Sequence, residues 1–251
     1  MAINKIKKIV KGNATKVFFL FRHLTLQATS KPVNLYNYIC SAFSNKALIH
    51  VIGDSHVFIF RNKKAFVPHH VGPATMYNLN KEDSSTKSNL KLFKAITKIN
   101  KSRDIVMLVF GEIDCRIHIY YQFEKQNKKF TIPELISRTI VNYSQVLEKL
   151  RAMDVRFCVY GIPATGTQAN HYGYAFYGTP QIRNYICKEF NRQLKEFCEK
   201  NRYAYIDIYP RVSDENGFVR SEFSADQVHL NGRIFGFVKQ EINKILNGVS
   251  K

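Results

Sequence analysis

The chain has 251 residues, enough for one large domain, and its 45% hydrophobic and 13% aromatic content exclude a disordered or fibrous protein. Lys and Arg outnumber Asp and Glu by 38 to 19, and the resulting net charge of +19 points to an anionic partner. No apolar run approaches the ~20 residues that cross a bilayer, and Arg22 with His23 cuts short the only stretch, Val17 to Phe21, that approaches a secretory signal, so neither a membrane span nor export by that route is expected.

The first fifty residues carry eight basic side chains and no acidic one. Ile3, Ile6, Ile9, Val10 and Val17 to Leu20 give this segment an apolar side among its lysines, which suits peripheral contact with an anionic membrane surface through residues 1–45. A helical extension packed on the domain, its lysines in water, fits the same pattern. From Ala47 onward, short apolar runs alternate with amphipathic ones. Ala47 to Ile52 reads as a strand ending at Gly53, and Ala65 to Val71 as a shorter one. Leu90 to Ile99 has helical spacing, and Asp104 to Phe110 is a nearly continuous apolar run, the mark of a strand buried on both faces. Pro133 opens a helix over Ile132 to Met153, followed by a strand at Val155 to Tyr160. Pro180 opens a second long helix to Asn201, a strand covers Tyr203 to Ile208, and Gly232 to Leu246 is the last helix. Strands separated by helices of this length pair in parallel. The expected fold class is therefore α/β, a three-layer α/β/α sandwich with a mostly parallel five-stranded sheet over residues 46–251, preceded by a basic N-terminal extension over residues 1–45.

The five cysteines, Cys40, Cys115, Cys158, Cys187 and Cys198, are odd in number and widely spaced, with no C-x-x-C pair. They read as reduced thiols acting as small buried hydrophobes in a cytoplasmic protein. No set of His, Cys and carboxylates has metal-ligand spacing, and no cofactor is expected.

In open parallel sheets the reactive groups gather at the carboxyl ends of the strands, and three polar sets fall there. Gly53-Asp54-Ser55-His56 follows the first strand, where glycine permits a tight turn and presents Ser55 at the start of a helix. Gly111-Glu112-Ile113-Asp114-Cys115-Arg116 follows the central strand, with His118 close behind. Asp226-Gln227-Val228-His229 follows the last strand. A serine hydroxyl needs a base, and the base needs an acceptor that fixes its tautomer. Asp226 and His229, three apart, can supply both from one turn, with Ser55 completing a triad in the order Ser, Asp, His. Asp54 is read as fixing the turn through backbone N–H groups, and Asp114 as tying the third loop to the first or binding substrate. Arg116 and His118 are substrate-binding candidates or members of a buried ion-pair network. His69 and His70, adjacent in an extended run, point to opposite sides, so at most one lines the site. His171 to Tyr177 (HYGYAFY) reads as a loop whose rings stack on sugars or form a lid packed on itself.

The sets Gly53-Asp54-Ser55, Gly111-Glu112-Ile113-Asp114 and Asp226-Gln227-Val228-His229-Leu230-Asn231 resemble the SGNH (GDSL-type) hydrolase superfamily of esterases, lipases, carbohydrate O-deacetylases and O-acetyltransferases. The resemblance spans roughly Ala47 to Leu246. It implies a flavodoxin-like sheet, with Ser55 as nucleophile, His229 as base and Asp226 as its partner. It also implies an oxyanion hole from the backbone N–H groups of Ser55 and Gly72. Two departures stand out: His56 where many members have Leu, and Ile113 where the third motif usually places an Asn that donates to the oxyanion. Arg116 and His118 are the nearby candidates for a replacement donor.

The expected function is that of a serine-dependent acyl-ester hydrolase or acyltransferase acting on O-acetyl groups of a carbohydrate or surface polysaccharide. The basic surface suits an acidic polysaccharide. A catalytically weak glycan-binding module on the same fold is the alternative that the Ile113 departure keeps open. Nucleic acid is not the expected partner, because no RNP-like or helix-turn-helix pattern accompanies the charge.

Overall fold

β1 (Ile49–Gly53) and β3 (Ile105–Val109) are built from residues that are all buried, as their unbroken apolar runs require. With β2 (Phe66–His70), β4 (Phe157–Tyr160) and β5 (Ala204–Ile206) they form one five-stranded sheet, in the order β2-β1-β3-β4-β5. Every pairing is parallel, with Gly53 opposite both His70 and Val109. This is the flavodoxin-like strand order, and its switch point lies between β1 and β3. The coordinates are a computed structural model that describes residues 33–41, 44, 46–169 and 173–248.

Alternate residues of each strand enter two separate cores. Ile52, Val106, Leu108 and Val159 face α2 (Ser88–Ile96), α4 (Ile132–Ala152) and α5 (Pro180–Lys200). Val51, Met107, Val109, Cys158 and Ile206 face the 3₁₀ helix Ser55–Phe60 and α7 (Phe235–Leu246). The sandwich thus has three layers. The long helices start where their caps dictate: the Thr131 side chain and Glu134 form a capping box at α4, Thr179 caps α5, and a proline stands in each first turn. The buried face of α4 is Leu135, Ile136, Thr139, Ile140, Tyr143, Val146, Leu147 and Leu150.

Some elements were not legible from periodicity. Ser55 opens a short 3₁₀ helix rather than an α-helix, and the last helix is preceded by a 3₁₀ turn, Gly232–Ile234. After β3 the chain makes a π-turn over Asp114–His118 that runs into α3 (Ile119–Lys125), and α6 (Tyr209–Val212) follows β5. Residues 33–41 form helix α1. Asn37 fastens it to the start of β2: its amide donates to the Lys63 and Phe66 carbonyls and its oxygen accepts from the Ala65 N–H. This helix lies within the segment read as an extension and is joined to the domain. Residues 1–32, on which the membrane-surface expectation mainly rests, lie outside the described residues. Among the described residues no helix is long and apolar enough to cross a membrane.

Candidate functional site

Gly53 ends β1 where the chain passes hard against β3. A Cβ there would lie 2.0 Å from the Val109 carbonyl oxygen, so only glycine fits. Asp54 then caps the 3₁₀ helix, its Oδ1 accepting from the His56 N–H at 2.9 Å. Ser55 is the first residue of that helix, which leaves its own N–H without a helical acceptor. The Val71 N–H donates to the Gly53 carbonyl and carries the β1–β2 ladder one step further. Gly72 follows directly on this last rung of the ladder. Its φ of +101° is one that glycine adopts without strain. Among the described residues neither the Ser55 nor the Gly72 N–H has an acceptor.

The segment 226–231 meets this turn from the other side. Leu230 is buried in the core, and Asn231 caps the turn into α7 through the Arg233 N–H. Its amide also donates to the Glu222 and Ser224 carbonyls. So anchored, His229 places Nε2 2.8 Å from Ser55 Oγ. Asp226 Oδ2 is 2.9 Å from His229 Nδ1, while Oδ1 accepts the N–H groups of Val228 and His229, each at 2.7 Å. Burial disfavours a charge on Asp226, but the hydrogen bonds from His229 and from the two amides outweigh it and hold the carboxyl well below its ordinary range. An Asp226 carboxylate that accepts Nδ1–H leaves the Nε2 lone pair aimed at Ser55 Oγ. Ser55, His229 and Asp226 are thus joined by hydrogen bonds across 174 residues of sequence.

His56, which stands where many members of the family that the chain resembles have Leu, is wholly inside. Its Nδ1 is 3.0 Å from Asp54 Oδ1 and its Nε2 is 3.0 Å from the Val228 carbonyl oxygen. Both partners are acceptors, so both ring nitrogens carry protons and the ring is an imidazolium. Burial opposes that charge, but Asp54, with smaller help from Glu112 and the Val228 carbonyl, raises the pKa to about 9. Only its burial could have flagged this residue, and burial at that position is not readable from a single sequence. The ring also packs at a tilt against His229, with centroids 4.8 Å apart. His56 therefore ties the serine turn to the histidine segment. A folded-state pKa raised from 6.5 to about 9 stabilises the fold fully below pH 6.5, and that contribution is lost as pH rises through about 9. We expect Tm to fall over that interval and the fall to flatten in His56→Gln; parallel Tm profiles for the two proteins would refute it.

The third loop is where the expectations need correction. Asp114 is fully buried and cannot touch substrate; its carboxylate accepts the N–H groups of Met76 at 2.7 Å and Tyr77 at 3.3 Å. It ties this loop to the one after β2, not to the first loop. Burial, with the charge of Asp54 adding to it, raises its pKa to about 7. Arg116 is spoken for by Glu112, at 2.5 Å, and by the Ala175 carbonyl. His118 packs at a tilt on Tyr77 and lines a small cavity with Gln122, Arg138 and Thr139. Among the described residues no hydrogen bond joins Arg116 or His118 to Ser55. His69 bonds to His50 and His70 packs at a tilt on Phe58, on opposite sides of β2.

The aromatic loop closes one side of the group. Of the run His171 to Tyr177, residues 171 and 172 lie outside the described residues. Tyr174 packs edge-on against His229, and its hydroxyl is 3.5 Å from Nδ1. Two arginines pack against the loop. Arg116 lies under the rings of Tyr174 and Phe176. Arg183, fully buried, lies 4.6 Å from the Phe176 ring and donates to the Gly178 and Gln168 carbonyls. The role of Arg116 as a support for this loop was not apparent from its spacing.

No family model and no curated protein sequence matches the chain. Solved structures do. A proposed acylhydrolase from Bacteroides fragilis is similar over 82% of this chain and 89% of its own, at 15% identity and a TM-score of 0.55. A GDSL-like lipase from Bacteroides thetaiotaomicron is similar over 82% of this chain and 90% of its own, at 12% identity and a TM-score of 0.54. With these likenesses and the strand order above, the chain has the SGNH (GDSL-type) hydrolase fold.

Proposed function

We propose that this protein is a serine-dependent acyl-ester hydrolase or O-acyltransferase whose substrate carries O-acetyl groups on a carbohydrate. The observation that carries the proposal is the line Ser55 Oγ, His229 Nε2 and Nδ1, Asp226 Oδ2, with its 2.8 Å and 2.9 Å links. In this reading Ser55 Oγ attacks the ester carbonyl carbon while His229 Nε2 takes its proton, and Asp226 stabilises the imidazolium. The tetrahedral oxyanion forms beside the N–H groups of Ser55 and Gly72. Collapse breaks the ester C–O bond, and His229 returns the proton to the leaving sugar hydroxyl. Water or a second hydroxyl, deprotonated by His229, then attacks the acyl-enzyme and regenerates Ser55. The names of the neighbours, an acylhydrolase and a lipase, support ester chemistry, and the buried thiols with no disulfide partner fit a reducing compartment.

The test is p-nitrophenyl acetate turnover together with mass spectrometry after a serine-directed phosphonate. Turnover and a single adduct on Ser55 are expected; an unlabelled, inactive protein would overturn the proposal. Addition of a sugar acceptor separates the two activities, since a transferase forms acetylated sugar in place of free acetate.

A further inference from the structure

β2 is an edge strand, and between it and α2 runs a groove of about 540 Å³. Lys91, Lys94 and Lys98 line one side, and Tyr38, Pro68 and His69 lie across from them. Lys91 and Lys94, one turn apart on α2, and Lys98, in the turn just beyond its end, line the same side of the groove. All three are exposed, none is in an ion pair among the described residues, and no carboxylate is among the described residues lining the groove. Three like charges held close together without counter-charge favour an anion between them.

The floor of the groove adds shape rather than charge. His69 receives its orientation from a buried line in which Asp104 Oδ2 is 3.3 Å from His50 Nε2 and His50 Nδ1 is 2.9 Å from His69 Nε2. Burial, with His50 and Lys98 beside it, lowers the His69 pKa to about 4, so the ring is neutral and offers a face and an edge. At its upper end the groove runs to the start of the loop that carries Gly72. Val71 lines it, Lys91 Nζ donates to the Val71 carbonyl at 3.4 Å, and a Cβ on Gly72 would lie 3.6 Å from the same ammonium. A chain lying along the lysines would therefore lead toward Gly72, which the proposed reaction places beside the oxyanion.

We propose that this groove binds an anionic segment of a carbohydrate chain and presents a neighbouring O-acyl group to Ser55. The presentation step rests on the acyl-transfer reading above; the binding step does not. Nucleic acid fits less well, because the groove has one tyrosine instead of a row of aromatic platforms, and lysines instead of base-reading arginines.

The test is binding of a fluorescent oligogalacturonate to the full chain, with a malto-oligosaccharide of equal length and a single-stranded RNA as comparators. Lys94→Ala/Lys98→Ala is expected to weaken oligogalacturonate binding about tenfold and to lower the salt dependence by about one to two charges. Lys188→Ala/Lys239→Ala, which removes the same charge from exposed sites on α5 and α7, is expected to leave binding unchanged. Equal loss in both double variants, no loss in the first, equally tight malto-oligosaccharide binding, or tighter RNA binding through the same lysines would each overturn the proposal. Turnover by the wild type decides the acyl-transfer reading separately. Turnover without groove binding removes the groove alone, and groove binding without turnover keeps the groove and removes the enzyme.

Discussion

Ser55→Ala lowers ester turnover by roughly 10⁴-fold or more and abolishes labelling by a phosphonate, while the fold stays intact. The expectation rests on where the hydroxyl sits. Ser55 stands half-buried at the start of the 3₁₀ helix, and among the described residues the one hydrogen bond its Oγ makes is to His229 Nε2. The turn itself is held by other groups: Gly53 against Val109, the Asp54 cap on the His56 N–H, and His56 bridging to Val228. Removing Oγ therefore takes away the attacking atom and leaves these supports in place. The measurement is kcat/KM on p-nitrophenyl acetate beside the Tm of both proteins. A variant that keeps a tenth of wild-type turnover would sink Ser55 as nucleophile, and an equal loss of Tm would show that the serine is structural.

The parts of the fold legible in advance were those with a strong period or a strong stop. β1 and β3 announced themselves by runs too apolar to face water on either side, and α4 and α5 by Pro133 and Pro180 in their first turns. Ser55, Asp226 and His229 were legible because each follows a strand and because Asp-x-x-His can close on itself across one turn. What escaped is what depends on three-dimensional neighbours. Nothing in the spacing of Asp114 says that its carboxylate will face the Met76 and Tyr77 amides. His56 is next to a serine in sequence, yet its role comes from a carbonyl 172 residues away. Arg116 and Arg183 support the aromatic loop through contacts 59 and 5 residues distant, and only the first had been singled out, for a different purpose. The π-turn after β3 has no periodic signature, because one wide turn is too short to establish a period.

Asp226→Asn is the sharper test of the proposed chemistry, because it preserves shape and changes one proton. In the wild type Oδ1 is occupied by two backbone N–H donors and Oδ2 faces His229 Nδ1. An asparagine that keeps its oxygen on the two amides must turn its NH₂ toward Nδ1. That nitrogen then becomes the acceptor, the ring proton moves to Nε2, and Nε2 donates to Ser55 Oγ where it should accept. The base is present, correctly placed and in the wrong tautomer. The opposite rotamer keeps the right tautomer but sets an NH₂ against two N–H groups, which costs more than the one hydrogen bond it saves. Turnover is therefore expected to fall about 10⁴-fold, in kcat and not in KM, with little change in Tm near neutral pH. Asp226→Ala would leave the Val228 and His229 amides without an acceptor and lower Tm as well. If Asp226→Asn retained near wild-type kcat, Asp226 would be a turn-former for the 226–229 segment, and the acceptor for His229 would have to be sought in the Tyr174 hydroxyl, 3.5 Å from the same nitrogen.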